Sequence, residues 1–287
     1  MSEPSLTPEG LVADIDTLAT LPEVALRIAN MVDDPKSSAA DIGREIANDA
    51  ALTVRLLRIA NSSAFSQNGK IATVSRAITV LGVRQVRDLT VGLTAVRTFE
   101  GVGNDLITVE SFWRHSVLCA VAATQIASHR IRGHGESPFV AGLLHDIGHL
   151  VLFSRAPRHA REALLMAVDA TDDLALHACE RKVLGFDHGA IGVALAQHWR
   201  LPLSLQECIQ FHHEPARAQV HRVEAATVHI ANSIAVLAEI GSQDPLDAPP
   251  LAPEALRIAE CDITQLPDIV TATHAAAAEI LPMLLAA

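Results

Sequence analysis

Gly142-Leu143-Leu144-His145-Asp146-Ile147-Gly148-His149 is the stretch on which the reading of this chain turns. An adjacent His-Asp pair sets an imidazole nitrogen beside a carboxylate oxygen, an arrangement suited to a divalent ion that activates water. At 100° per residue from Pro138 onward, Val140, Leu143, Leu144, Ile147 and Val151 share one face of a helix and form a broad apolar stripe. Gly142, His145, Asp146 and His149 gather opposite. Glycine inside a helix costs stability, so Gly142 predicts that another group approaches closely there. The segment is apolar at both ends, which predicts burial on two sides and hence partners for its polar face.

Histidines recur where such partners are needed. His115 lies in Phe112-Trp113-Arg114-His115-Ser116, far enough before His145 for its helix to run antiparallel to the His145 helix. His188 lies in Phe186-Asp187-His188-Gly189, and His212-His213 in Phe211-His212-His213-Glu214-Pro215. Any one of them alone reads as an ordinary hydrogen-bonded histidine. Together these imidazoles and Asp146 suffice for one divalent transition-metal ion or a close pair, with positions left open for water. Iron, zinc, nickel and manganese all accept such ligands, and the ligand set does not choose among them.

The rest of the composition frames that site. The chain has 287 residues, 49% of them apolar, with seven Phe, two Trp and no Tyr. This favours packed helices over a β-sandwich, which draws on aromatic and β-branched residues. Its 22 basic and 33 acidic side chains give a net charge of −11, which repels phosphate backbones and argues against nucleic-acid binding. Cys119, Cys179, Cys208 and Cys261 are scattered without Cys-x-x-Cys spacing and read as thiols of a reducing cytoplasm. Residues 1–10 lack the basic and apolar regions of a signal peptide, and polar residues interrupt each apolar run. A cytoplasmic protein without a membrane span is therefore expected.

Helical signals succeed one another along the chain. Residues 1–13 are polar and contain proline, so a loose tail is expected. Pro22 suits a first helical position, Val24, Ile28 and Met31 form a stripe, and Asp33-Asp34-Pro35 stops it. Ser38 with Asp41 makes a capping-box start, and Asp49 caps a helix carrying Leu52, Leu56 and Ile59. A loop is expected over 61–69, with a segment from Thr73 to the stop at Gly82 after it. Helices follow over 83–97 and 112–131, and Ser137-Pro138 is expected to cap the helix that bears His145. Glycine and polar residues cluster at 100–105, the best boundary between two parts, and another Gly-rich loop falls at 132–136. The fold class is all-α.

With these residues in view, the chain resembles the HD superfamily of metal-dependent phosphohydrolases, and more narrowly its HDOD branch (HD-related output domain). The resemblance rests on Leu21-Pro22-Glu23-Val24, on 49–62, on 71–89, on the His145 motif and on 180–202 with Trp199-Arg200-Leu201-Pro202. It implies an N-terminal helical subdomain at 14–104 and an HD-like helical core at 105–240; residues 241–287 read separately as a helical extension packing on the core. The catalytic HD pattern is a His, a His-Asp pair and a distant Asp, with extra histidines in two-metal members. His115 and His145-Asp146 match it, and His188, His212 and His213 resemble the extra ligands. The distant Asp is replaced by Asn232, which offers a carbonyl oxygen and no charge. His149 stands where catalytic branches often carry Lys, and no Gly-Tyr-Pro follows His213.

The resemblance therefore implies a non-catalytic bacterial signalling module that acts by protein contact or by sensing a nucleotide, with a retained metal site. Its alternative is a metal-dependent phosphohydrolase in which Asp146 anchors the catalytic ion. Arg55, Arg58, Arg76, Arg84 and Arg87 read as exposed charges on the N-terminal part, the expected surface for a signalling partner. No receiver, kinase or cyclase segment is seen, and the sequence sets no oligomeric state.

Overall fold

The computed structural model describes residues 6–13, 23–65, 69–99, 107–129, 137–169, 176–242, 244 and 247–285. Among these the chain is helical and no strand occurs. Pro22, residues 66–68 of the expected loop, the 100–105 boundary and the 132–136 loop lie outside them.

The local chemistry sets the first helices. The chain enters α2 (Glu23–Asp33) and leaves it at Asp34-Pro35. The capping box forms before α3 (Ala39–Ala47): Ser38 Oγ accepts from Asp41 N–H at 3.2 Å and Asp41 accepts from Ser38 N–H at 2.9 Å. Asp49 caps α4 (Ala50–Ala60) by accepting from Leu52 N–H at 2.9 Å. Thr73 caps α5 (Val74–Leu81), and Gly82 separates it from α6 (Val83–Thr98). Ile28, Leu56 and Ile59 are fully buried in this part, each worth about 1.5–3 kcal/mol of apolar burial.

The second part is built around α7 (Val109–Ser128), α8 (Pro138–Leu144), α9 (Ile147–Arg155), α12 (His188–His198), α13 (Leu203–Phe211) and α14 (Arg222–Ile240). Helices α10 (Pro157–Asp169) and α11 (Leu176–Leu184) pack on each other beside it. Trp199, at the end of α12, is buried with its ring centroid 6.1 Å from Phe99, so the two parts share one core. Helix α15 (Ala255–Ile258) packs on α14, α16 (Leu266–Leu285) lies on α7, α14 and α4, and Glu279 of α16 accepts from Ser63 N–H at 3.0 Å and Oγ–H at 2.9 Å.

Four expectations need correction. The loose tail is a helix from Pro8: in α1 (Pro8–Ala13), Leu11 and Val12 are buried against α9 and α12, because two adjacent apolar residues outweigh the polar flanks. The helix bearing His145 breaks at His145-Asp146 into α8 and α9, where Asp146 adopts φ −99° and ψ 10°. Ser137 does not cap α8. It sits at φ 47° and its hydroxyl donates to Asp88, a buried carboxylate 2.6 Å from Arg87. Arg87 is accordingly buried and takes no part in an exposed basic face.

Two segments, 222–240 and 263–285, are long and apolar enough by length and composition alone to cross a membrane. The first is a core helix, 67% buried within the fold, so length and composition are weak evidence for a span.

Candidate metal centre

Close backbone approach is what assembles the site. A Cβ on Gly142 would lie 2.7 Å from Ala120 Cα and 2.8 Å from Cys119 O, so α8 crosses α7 with no room for a side chain. Gly148 is tighter still, since its Cβ would fall 2.0 Å from His188 O. These two crossings bring His115 of α7 and His188 of α12 to the break that carries His145 and Asp146. His212 and His213 arrive at the end of α13, and Asn232 from α14.

Asp146 stands at the centre with one oxygen toward each half. Its Oδ2 lies 3.3 Å from His145 Nε2 and 3.8 Å from His115 Nε2, which is itself 2.9 Å from Asn232 Oδ1. Its Oδ1 lies 3.3 Å from His188 Nε2 and 3.4 Å from His212 Nε2. His188 Nε2 is in turn 3.3 Å from His212 Nε2 and 3.0 Å from His213 Nε2. All the residues expected at the site are thus brought together.

The far side of each ring explains why the Nε2 atoms converge. His145 Nδ1 lies 2.8 Å from Gly142 O and His212 Nδ1 lies 2.9 Å from Ile209 O. A ring N–H donated to a carbonyl leaves a lone pair on Nε2, pointing inward. His188 Nδ1 is held 2.6 Å from Glu180 Oε2, and His115 Nδ1 lies 3.2 Å from Glu239 Oε2.

This donor set fits a metal ion. In a tetrahedral site with bonds of about 2.1 Å, ligand atoms stand about 3.4 Å apart. The separations of 3.0–3.4 Å around Asp146 Oδ1, His188, His212 and His213 match that spacing. His145 Nε2 and Asp146 Oδ1 are buried, and neither makes an aligned hydrogen bond to any described residue.

The electrostatics favour ligation at Asp146, His212 and His213, while at His188 and His115 an ion would have to displace a proton. Burial opposes the charge on Asp146, but the surrounding His145, His188 and His212 outweigh it and hold its pKa well below the usual range. Burial likewise opposes a charged His188, yet Glu180 and Asp146 raise its pKa well above normal. His212, facing other imidazoles, is lowered by burial to about 4, and burial lowers His213 as well. His115 is raised: its hydrogen bond to Glu239 and the nearby Asp146 charge overcome burial.

Sequence reasoning did not assign roles to four residues here. Glu239 lies seven positions after Asn232, two turns along the same helix face, and that spacing could have flagged it. Glu180 and His177 come from α11, across a loop from α12, where no periodicity links them to the ligands. His177 stacks on His213 with centroids 4.1 Å apart. His149 is not on the Asp146 side of the site: it stacks on the flank of His188 at 3.8 Å and reaches Glu180 Oε1 at 3.2 Å. Outside this layer, Arg181 binds both Asp187 at 2.7 Å and Glu214 at 2.5 Å, tying the start of α12 to the segment after His213.

The HDOD domain family matches residues 18–215, well over half of the sequence. The chain belongs to the HDOD family. An uncharacterized protein of Treponema pallidum (strain Nichols) is 28% identical to this HDOD protein over 228 residues, 77% of the chain. That match spans only 43% of the relative's own length. Among solved structures, a provisionally named phosphohydrolase from Shewanella amazonensis SB2B superposes with TM-score 0.73 at 24% identity, covering 96% of this chain and 97% of its own. An HDOD domain protein of unknown function from Geobacter sulfurreducens gives 0.69 at 22% identity, covering 96% and 95%. These likenesses establish the fold.

Proposed function

We propose that this HDOD protein is a cytoplasmic, non-catalytic module of bacterial signalling that carries one divalent transition-metal ion and acts by contact with a protein partner. The observation that carries the reading is Asn232. Where a hydrolytic centre of the HD kind needs a carboxylate, this chain presents a neutral amide 2.9 Å from His115 Nε2. His115 is pinned on its other nitrogen by Glu239, so the His115–His145 half has only a shared Asp146 oxygen as anion. The half formed by Asp146, His188, His212 and His213 would hold the ion, which would stabilise the packing of α9, α12 and α13.

A second reading, a phosphohydrolase, is favoured by one observation: the three histidines and Asp146 of that same half form a complete donor set. An ion bound there would supply Lewis-acid activation of water against a phosphoester.

Metal analysis of protein purified without chelators or an immobilised-metal column, followed by assay on bis(p-nitrophenyl) phosphate and cyclic dinucleotides, tests the choice. One equivalent of metal, lost in His188→Ala, with no turnover is the expected result. Turnover that disappears in His188→Ala would replace the first reading with the second.

A further inference from the structure

We propose that Glu180 is the positioning residue that makes His188 a metal ligand and directs the ion to the His188 half of the site, with His149 holding Glu180 in place. This rests on the reading of that half as a metal site.

Glu180 is 1% exposed, and one of its oxygens takes two hydrogen bonds from the same residue: His188 Nδ1 at 2.6 Å and the His188 backbone N–H at 2.9 Å. A residue pinned at its backbone and at the far ring nitrogen has one direction left for Nε2, and here it points at Asp146 and His213. The second Glu180 oxygen lies 3.2 Å from His149 Nδ1, an electrostatic contact without hydrogen-bond alignment. The His149 ring lies on the His188 ring, 24° from parallel, and is backed by Phe153 at 5.4 Å. The α9–α12 contact at Gly148 fixes the register of that stack.

A buried carboxylate is retained only with strong partners, and a carboxylate on the outer nitrogen of a ligating histidine raises its basicity and fixes its tautomer. His145 and His212 have only backbone carbonyls in that position. Charge balance favours the same half. Three neutral imidazoles, Asp146 and Glu180 neutralise a dication within the protein, whereas the counterpart on the His115 side, Glu239, is 31% exposed and screened by water.

The test is titration of the metal-free full chain with Co(II), reading affinity and visible ligand-field absorption, in wild type, Glu180→Gln, Glu180→Ala, His149→Phe and Asp146→Ala. Wild type is expected to take one Co(II), and Asp146→Ala none. Glu180→Ala should weaken binding about 10- to 100-fold with an altered spectrum. Glu180→Gln keeps an acceptor for Nδ1–H without the charge, so it should recover part of that loss. His149→Phe keeps the stack and should lose least. Should Glu180→Ala not fold, the isosteric Gln variant carries the comparison. Variants that bind Co(II) with wild-type affinity and spectrum, even with a lowered melting temperature, would make Glu180 a packing residue and overturn the proposal. A wild-type protein that takes no Co(II) would instead overturn the metal reading itself.

Discussion

The two halves of the site share Asp146 yet are built differently. On the His188 side, donor atoms stand 3.0–3.4 Å apart, and the ring of His188 is held by a fully buried carboxylate. On the His115 side, the distance to Asp146 is 3.8 Å, the fourth group is the neutral Asn232, and the supporting Glu239 is partly in solvent. The same residue types at similar spacing thus give one compact donor set and one loose one. Anion count and outer-ring support, not the number of histidines, distinguish the two halves.

Removing the shared residue should break both halves together. Asp146→Ala is expected to abolish metal content and, by leaving a charged His188 buried beside Glu180 alone, to cost about 3–5 kcal/mol. Denaturant unfolding with elemental analysis checks it.

Acid should act on the His188 half next. His212 titrates near 4 in the fold against 6.5 in the free chain. Between these values the unfolded chain binds the extra proton, so stability is present above pH 6.5 and is lost as pH falls toward 4, by about 3 kcal/mol at most. His188, with its raised pKa, adds slightly to stability as pH falls from 7 through 6.5, where its unfolded form takes up a proton, and is protonated in both states below about pH 5.5, so it offsets only a small part of the His212 loss. Urea unfolding of the metal-free protein at pH 7 and pH 4.5 measures the loss, and a flat profile would mean that His212 is not buried as described.

Gly148→Ala attacks the crossing that the His188 half depends on and leaves the ligands themselves in place. The added methyl must push α9 from α12, with about 1–3 kcal/mol of destabilisation and a weakened metal affinity expected from paired melting and titration measurements. The smallest change is Asn232→Asp. It returns an anion to the loose half with almost no change in volume, so overall stability should move by less than about 1 kcal/mol while metal stoichiometry rises from one to two. Unchanged stoichiometry would show that the 3.8 Å spacing, not the missing charge, keeps that half empty.

Much of this was legible in the sequence, for identifiable reasons. The helix starts at Ser38, Asp49 and Thr73 follow from capping chemistry that acts within three residues. Gly142 announced the α7 contact because a glycine in an apolar helix has few other uses. The break at His145-Asp146 was hidden because 100° periodicity runs through it unchanged, and only tertiary packing around Asp146 reveals it. Glu180 was hidden for a different reason. Its partner is across a loop, and nothing in a one-dimensional pattern marks a carboxylate as belonging to one imidazole. Arg87 misled because its neighbour Asp88 and the distant Ser137 supply the partners that permit its burial.

The hydrogen bonds from His115 to Asn232 and Glu239 span 117 and 124 residues of chain. Contacts so far apart in sequence form late, after local helices have consolidated and the long loop-closure cost has been met. During synthesis, His115, His145 and His188 are all made before α14 exists, and the Asn232 side of the site can close only once that helix has docked along α7. All four donors of the His188 half are likewise made before α14, so that half can assemble while the Asn232 side is still open.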